Sequence, residues 1–329
     1  MKRTNQQPLI VALLIMTLLL PAIAKAMDFK HIVVFGTSIS DPGNAFALTG
    51  QTIKPPHDEL DSFLIPSSPY AIGGHHFSNG ATWIEQLARR IGQNQDVEPA
   101  FDASKDKALN YAVGGARARS DGLNLNLPDQ VATFLSDVNH SAPSDALYVI
   151  DMGANDVRDA LTSGSVEQAG IILGEALNSI GTQLGTLYHV GARKFLILNV
   201  PNLGLLPSFQ ILDTVFPGAA GFSGLLAQSF NDYLDFVVDS LGGAPGVEIA
   251  RLDVYRKLNE IIANPKNFGL SEIATPCITS GVQPSTCRNP NSYFFWDGVH
   301  PTKAGHGIFA REAAKALGIE FVYTNLADD

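Results

Sequence analysis

The chain has 329 residues, 45% of them hydrophobic, with 22 Lys and Arg against 32 Asp and Glu. A formal charge of −10 excludes nucleic acid as a charge-attracted partner, and equally an anionic membrane held by electrostatics alone. Neither a G-x-G-x-x-G fingerprint nor a GxxxxGK phosphate loop occurs, so the dinucleotide and phosphate-loop classes have no support.

Residues 1–26 have the layout of a secretory signal. Lys2 and Arg3 lead into an apolar run of 12 residues at 9–20, too short to span a bilayer, followed by Ala24-Lys25-Ala26 as a cleavage site. The expected mature protein is residues 27–329, exported to the periplasm or beyond the cell. Losing three basic residues and no acid takes its formal charge to −13. A length of 303 residues is ample for one α/β domain with a sizeable core.

Residues 32–35 (Ile-Val-Val-Phe) form a short apolar run that suits a buried strand. Gly36 ends it, and Thr37, Ser38, Ser40, Asp41, Pro42 and Gly43 favour a turn or a helix start. Ser38 therefore sits at the carboxyl edge of a sheet, where open α/β sheets bind ligands. On this stretch alone it is either a nucleophile or a helix cap.

Residues 45–80 lack periodicity and carry prolines at 55, 56, 66 and 69. A long irregular connection of this kind either lines a pocket with Phe46, Phe63, Leu64, Ile65, Tyr70 and Phe77 or is pinned to the core by them. Residues 82–91 follow as an amphipathic helix. A short strand at 110–113 runs into Gly114-Gly115, a pair that lets backbone N–H groups approach a ligand or simply makes a turn. Residues 146–150 repeat the strand pattern and deliver Gly153, Asn155 and Asp156 to the strand end. Asp156 is either a local cap or an acid in the site, and the cap is favoured.

A long helix is expected over 166–190, a third strand over 194–200, and an apolar loop with glycine and proline over 205–221. Beyond these come a helix at 222–241, a strand at 247–254 and a helix at 255–263. Cys277 and Cys287 are the only cysteines, and in an exported chain they are expected to pair across a polar loop; free thiols or a metal are the weaker readings. Residues 294–302 (FFWDGVHPT) then enter the last helix. Asp297 stands three residues before His300, a spacing on a turn that lets a carboxylate reach Nδ1 while Nε2 faces a nucleophile. His306 is a weaker rival, lying within the helix with no carboxylate at comparable spacing.

A serine, a glycine, an asparagine and an Asp-x-x-His at four loop ends resemble the SGNH, or GDSL, esterase and lipase family. The resemblance is carried by Gly36-Thr37-Ser38-Ile39-Ser40-Asp41, by residues 110–115 (NYAVGG), by Gly153-Ala154-Asn155-Asp156 and by Asp297-Gly298-Val299-His300-Pro301, and it covers essentially all of 31–318. Residues 77–83 and 201–204 are similar to its secreted lipolytic branch of bacterial phospholipases, lysophospholipases and acyltransferases.

The resemblance implies a three-layer α/β/α sandwich with a flavodoxin-like, mostly parallel sheet of about five strands. It implies Ser38 as nucleophile, His300 as general base and Asp297 as its orienting carboxylate. The N–H groups of Ser38 and Gly115 and the side chain of Asn155 would form the oxyanion hole, with Gly115 chosen because it stands five residues after Asn110. No cofactor or metal is implied. The expected partner is a small-molecule or lipid ester, with transient contact to membrane lipid. Acyl transfer to an alcohol, deacetylation of carbohydrate and a non-catalytic surface binder are the alternatives. One departure stands out: the Asp and Leu of GDSL are Thr37 and Ile39 here, which removes a charge beside the nucleophile turn.

Overall fold

The structure, a computed structural model, describes residues 26–281 and 283–320. The secretory segment expected at 1–26 lies, but for Ala26, outside the described residues. Four parallel strands form one sheet in the order β1-β2-β3-β4: β1 (His31–Phe35), β2 (Ala146–Asp151), β3 (Lys194–Leu198) and β4 (Glu248–Leu252). All six residues of β2 are buried, as expected of a central parallel strand covered on both faces.

A fifth position is filled without a regular strand. Residues 109–113 run alongside β1, with Val34 N donating to Leu109 O (2.9 Å), Tyr111 N to Val34 O (2.8 Å) and Val113 N to Gly36 O (3.1 Å). Counting this segment, the order is 2-1-3-4-5, the doubly wound arrangement whose ligands sit at the carboxyl ends of the strands. The strand expected at 110–113 is thus a ladder fragment bridged to β1 at Asn110, whose side chain also donates to Ser40 O (2.9 Å).

The helices among the described residues are α1 (Asn44–Thr49), α2 (Trp83–Arg90), α3 (Leu127–Asp137), α4 (Ala154–Leu161), α5 (Val166–His189), α6 (Pro207–Val215), α7 (Ala219–Gly242), α8 (Val254–Ala263) and α9 (Lys303–Ala316). α2 and α9 pack on each other, while α4, α5 and α7 pack together and α3 joins them through α5. These two groups are the outer layers that right-handed crossovers produce on a parallel sheet. Capping boxes start two of the helices: Thr82 with Glu85 for α2, and Asn126 with Asp129 for α3.

Three elements differ from the sequence reading. α1 occupies the start of the connection expected to be irregular over 45–80. α6 lies inside the segment expected to be a loop at 205–221; Pro207 at its first turn starts a helix rather than breaking one. α3 was not anticipated, although Leu127, Val131, Phe134 and Leu135 have helical spacing and are buried.

A candidate active site at the carboxyl edge of the sheet

β1 stops at Phe35, opposite Ile150, so Gly36 comes level with Asp151 at the end of β2. A Cβ on Gly36 would lie 3.1 Å from the Ser40 Cβ and 3.3 Å from those of Ala112 and Asp151, so any larger residue would press these segments apart by a few tenths of an ångström. Gln130 of α3 fixes the turn from the side, accepting from Gly36 N (2.9 Å) and donating to Gly36 O (3.0 Å). The turn then closes by Ser40 N donating to Thr37 O (3.0 Å), which presents Ser38 to the cleft. Ser38 caps no helix.

The structure brings Asp297, His300 and Ser38 into one line. His300 Nε2 lies 2.7 Å from Ser38 Oγ, and Nδ1 lies 2.7 Å from Asp297 Oδ2. Asp297 Oδ1 accepts from the backbone N–H of Val299 (2.8 Å) and of His300 (2.7 Å), so the carboxylate folds its own loop around itself. The loop is held on both sides, by Gly298 N donating to Leu64 O and Ser208 N to Gly298 O, each 2.8 Å. Asp297 is fully buried and His300 is buried, a setting in which the contact between Nδ1 and the carboxylate holds the ring with Nε2 facing Ser38 Oγ.

Gly115 and Asn155 line the same cleft as Ser38 and His300. Gly115 adopts φ +82°, the left-handed region that glycine tolerates. Its neighbour Gly114 is packed so tightly on Phe77 that an added Cβ would lie 2.1 Å from the ring. Asn155 Nδ2 donates to Ala116 O (2.8 Å), which spends one of its two amide hydrogens and ties the asparagine to the Gly-Gly loop.

Two further carboxylates build the frame. Asp41 accepts from the N–H groups of Gly43, Asn44, Ala45 and Gly114, binding the Ser38 turn to the Gly-Gly loop; burial raises its pKa to about 6 against those four bonds. Asp156 accepts from Ala118 N (2.8 Å) and Arg119 N (3.4 Å), so it clamps the neighbouring loop and does not cap its own helix. His306 is a core residue, its Nδ1 accepting from Trp83 N (3.2 Å), and burial pushes its pKa down to about 3.

Two residues at the site were not singled out as such by the sequence. Tyr70 Oη donates to Asp297 Oδ2 at 2.7 Å. Asp151 Oδ2 accepts from Ser40 Oγ (2.8 Å) and Thr37 Oγ1 (3.4 Å), and Trp83 Nε1 donates to the same Ser40 oxygen (3.0 Å). Burial raises Asp151 to about 6, opposed by the Ser40 and Thr37 hydrogen bonds. The carboxylate absent at position 37 thus reaches the turn from the neighbouring strand. Spacing along the chain does not signal either contact, because both partners are far apart in sequence.

The remaining cleft wall is mostly apolar, including Ile39, Ile65, Phe77, Leu203, Leu206 and Phe209, with Arg158 and Asn199 as its polar members. Cys277 and Cys287 form the expected disulfide. Its loop packs Cys277 and Ile278 into a small cluster with Ile53, Leu60, Tyr70 and Trp296. No helix among the described residues is long and apolar enough to cross a membrane.

Residues 32–313 match the family model described as GDSL-like lipase/acylhydrolase. The chain is 26% identical over 314 residues to a GDSL esterase/lipase of Arabidopsis thaliana, covering 84% of this chain and 83% of that one. A second Arabidopsis thaliana GDSL esterase/lipase is 24% identical over 329 residues, covering 85% and 88%. Among solved structures, an acetylxylan esterase from Geobacillus stearothermophilus matches with a TM-score of 0.49 and 15% identity, over 90% of this chain and 97% of that one.

Proposed function

The chain belongs to the GDSL-like lipase and acylhydrolase family, and from that premise we propose that it is an exported serine ester hydrolase cleaving lipid acyl esters through an acyl-enzyme. The observation that carries this reading is the unbroken line from Asp297 through His300 to Ser38, with 2.7 Å at each step, facing an apolar cleft.

In this mechanism Ser38 Oγ attacks the ester carbonyl while His300 Nε2 takes its proton. The negative oxygen of the tetrahedral intermediate is held by the N–H of Ser38, the N–H of Gly115 and the second amide hydrogen of Asn155; one such donor is typically worth about 3 kcal/mol. His300 then protonates the departing alcohol, leaving the acyl group on Ser38. Water, deprotonated by His300, attacks the acyl-enzyme, and the proton returns to Ser38 as the acid leaves. Asp297 holds the imidazole and stabilises its charged form throughout. The chemistry calls for no metal or cofactor. The apolar wall supports an acyl chain as the group bound beside the serine. Residues 27–329 act in this reading as one hydrolase domain, released from the segment ending at Ala26.

The test is a panel of p-nitrophenyl esters, glycerides, phospholipids and lysophospholipids with products identified by mass. Release of free fatty acid by wild type and its loss in Ser38→Ala support the reading. Equal rates for the two proteins overturn it, and products in which an added alcohol carries the acyl group make the enzyme a transferase.

A further inference from the structure

Arg158 stands on α4 three residues after Asn155, so the two side chains leave one face of the helix with their Cβ atoms about 5–6 Å apart. Both line the cleft that holds Ser38 and His300. Arg158 is the single Lys or Arg in that lining, and most of the other lining residues are apolar.

Nearby carboxylates are committed elsewhere. Asp159 takes Arg117 through both oxygens, from Nε and Nη2 at 3.0 Å each, and also accepts from Arg119 Nη2 at 2.5 Å. Asp156 holds the backbone of Ala118 and Arg119. Asp121 accepts from Leu123, Asn124 and Asn126. Asp151, also in the cleft, is engaged by Ser40 and Thr37. The Arg158 guanidinium has no hydrogen bond or ion pair among the described residues. Burial, and then the charge of Arg117, push its pKa down, opposed by the charges of Asp159, Asp61 and Asp156; Asp61 is itself engaged by the backbone N–H groups of Phe63 and Ile65. A half-buried guanidinium with no carboxylate in hydrogen-bond contact bears part of its desolvation cost uncompensated, and one facing a cleft is relieved when a ligand brings an anion into contact.

We propose that Arg158 binds the phosphodiester of the substrate, making the cleft selective for acyl esters of glycerophosphate lipids over neutral glycerides. The inference rests on the ester-hydrolase reading above. Asn155 holds the carbonyl oxygen, and Arg158 lies one helical turn away along the same face. The glycerol carbons between an acyl ester and its phosphate span a comparable gap. A guanidinium also matches phosphate by two parallel N–H to oxygen bonds, which an ammonium does not reproduce. Acyl chain and head group then leave the reacting carbon in different directions, the chain toward Leu206 and Phe209 and the phosphate toward α4.

The test uses the full chain on two substrates of one acyl chain length, lysophosphatidylcholine and 1-monoacylglycerol, below their aggregation limits. The ratio of kcat/KM on the first to that on the second is expected to exceed one in wild type. It falls by about tenfold or more in Arg158→Ala, chiefly through KM, and recovers in part in Arg158→Lys. Calorimetry with glycerophosphocholine, the deacylated phosphodiester, reads the site without turnover: wild type binds it and Arg158→Ala does not. An unchanged substrate ratio, or equal glycerophosphocholine binding by both proteins, overturns the assignment. Loss of all ester hydrolysis in a folded wild type would instead overturn the hydrolase reading, and the calorimetry still decides the anion site.

Discussion

Tyr70 and His300 donate to the same oxygen, Asp297 Oδ2, each at 2.7 Å. Together with the two backbone donors on Oδ1, this gives a fully buried carboxylate four hydrogen bonds. The arrangement satisfies both oxygens of a buried carboxyl group and fixes the direction in which it holds the imidazole. Tyr70 itself is held by ring contacts with Trp296 (5.7 Å) and His57 (5.9 Å), so the connection that follows α1 brings its phenol onto Asp297.

Tyr70→Phe keeps the ring and removes the bond. A hydrogen bond to a charged group is worth about 1.5–3 kcal/mol. The variant is expected to lose roughly tenfold or more in kcat with little change in KM, because the phenol touches the acid and not the substrate. Steady-state kinetics on a soluble ester checks this, and an unchanged kcat contradicts it.

Thr37 stands where the family motif has an Asp, and Asp151 supplies a carboxylate to the same turn from the end of β2. Thr37→Asp alone sets two buried acids against one turn and is expected to lose more than about tenfold in the rate of Ser38 acylation. Thr37→Asp combined with Asp151→Thr returns one acid to the turn and recovers activity above that of Thr37→Asp. A coupling of about 1–3 kcal/mol across this cycle is the expected result, and additive losses contradict it.

Asp151 also sets a pH dependence of stability. Its folded pKa of about 6 lies above an unfolded value of roughly 3.9, so the folded state binds the proton more tightly. The resulting stabilisation is fully present below about pH 4 and is lost as pH rises through 6. Asp151→Asn carries no such titration. Between pH 4 and pH 8 it is expected to gain about 2–3 kcal/mol relative to wild type in urea unfolding. A difference that does not vary with pH contradicts this.

The disulfide and Tyr70 share one apolar cluster. Reduction, or replacement of Cys277 and Cys287 by serine, opens a loop of ten residues' separation and is expected to cost about 2–3 kcal/mol. Loosening this cluster also frees Tyr70, so kcat is expected to fall with it. Reduced protein with an unchanged Tm and unchanged kcat would separate the loop from the triad.

Much of this architecture can be read along the chain, and the reason is periodicity. Buried parallel strands such as 32–35 and 146–150 are continuous apolar runs ending at turn residues, and the long helices carry a 3.6-residue rhythm. Ser38, Gly115, Asn155, Asp297 and His300 all fall at strand or loop ends, where fold and chemistry share short motifs. α6 was obscured by the glycines and prolines around an apolar segment. Asp151 was hidden at the end of a strand, where an acid has no local pattern. Tyr70 and Arg158 act through the company they keep in space: one meets an acid 227 residues away, and the other is distinguished by carboxylates that pair with its neighbours.

The most direct measurement is covalent labelling of the full chain with a fluorophosphonate, followed by peptide mapping. The account predicts a single modified residue, Ser38, with labelling abolished in Ser38→Ala and slowed by orders of magnitude in His300→Ala. Modification at another serine, or ester hydrolysis by Ser38→Ala at the wild-type rate, would contradict it.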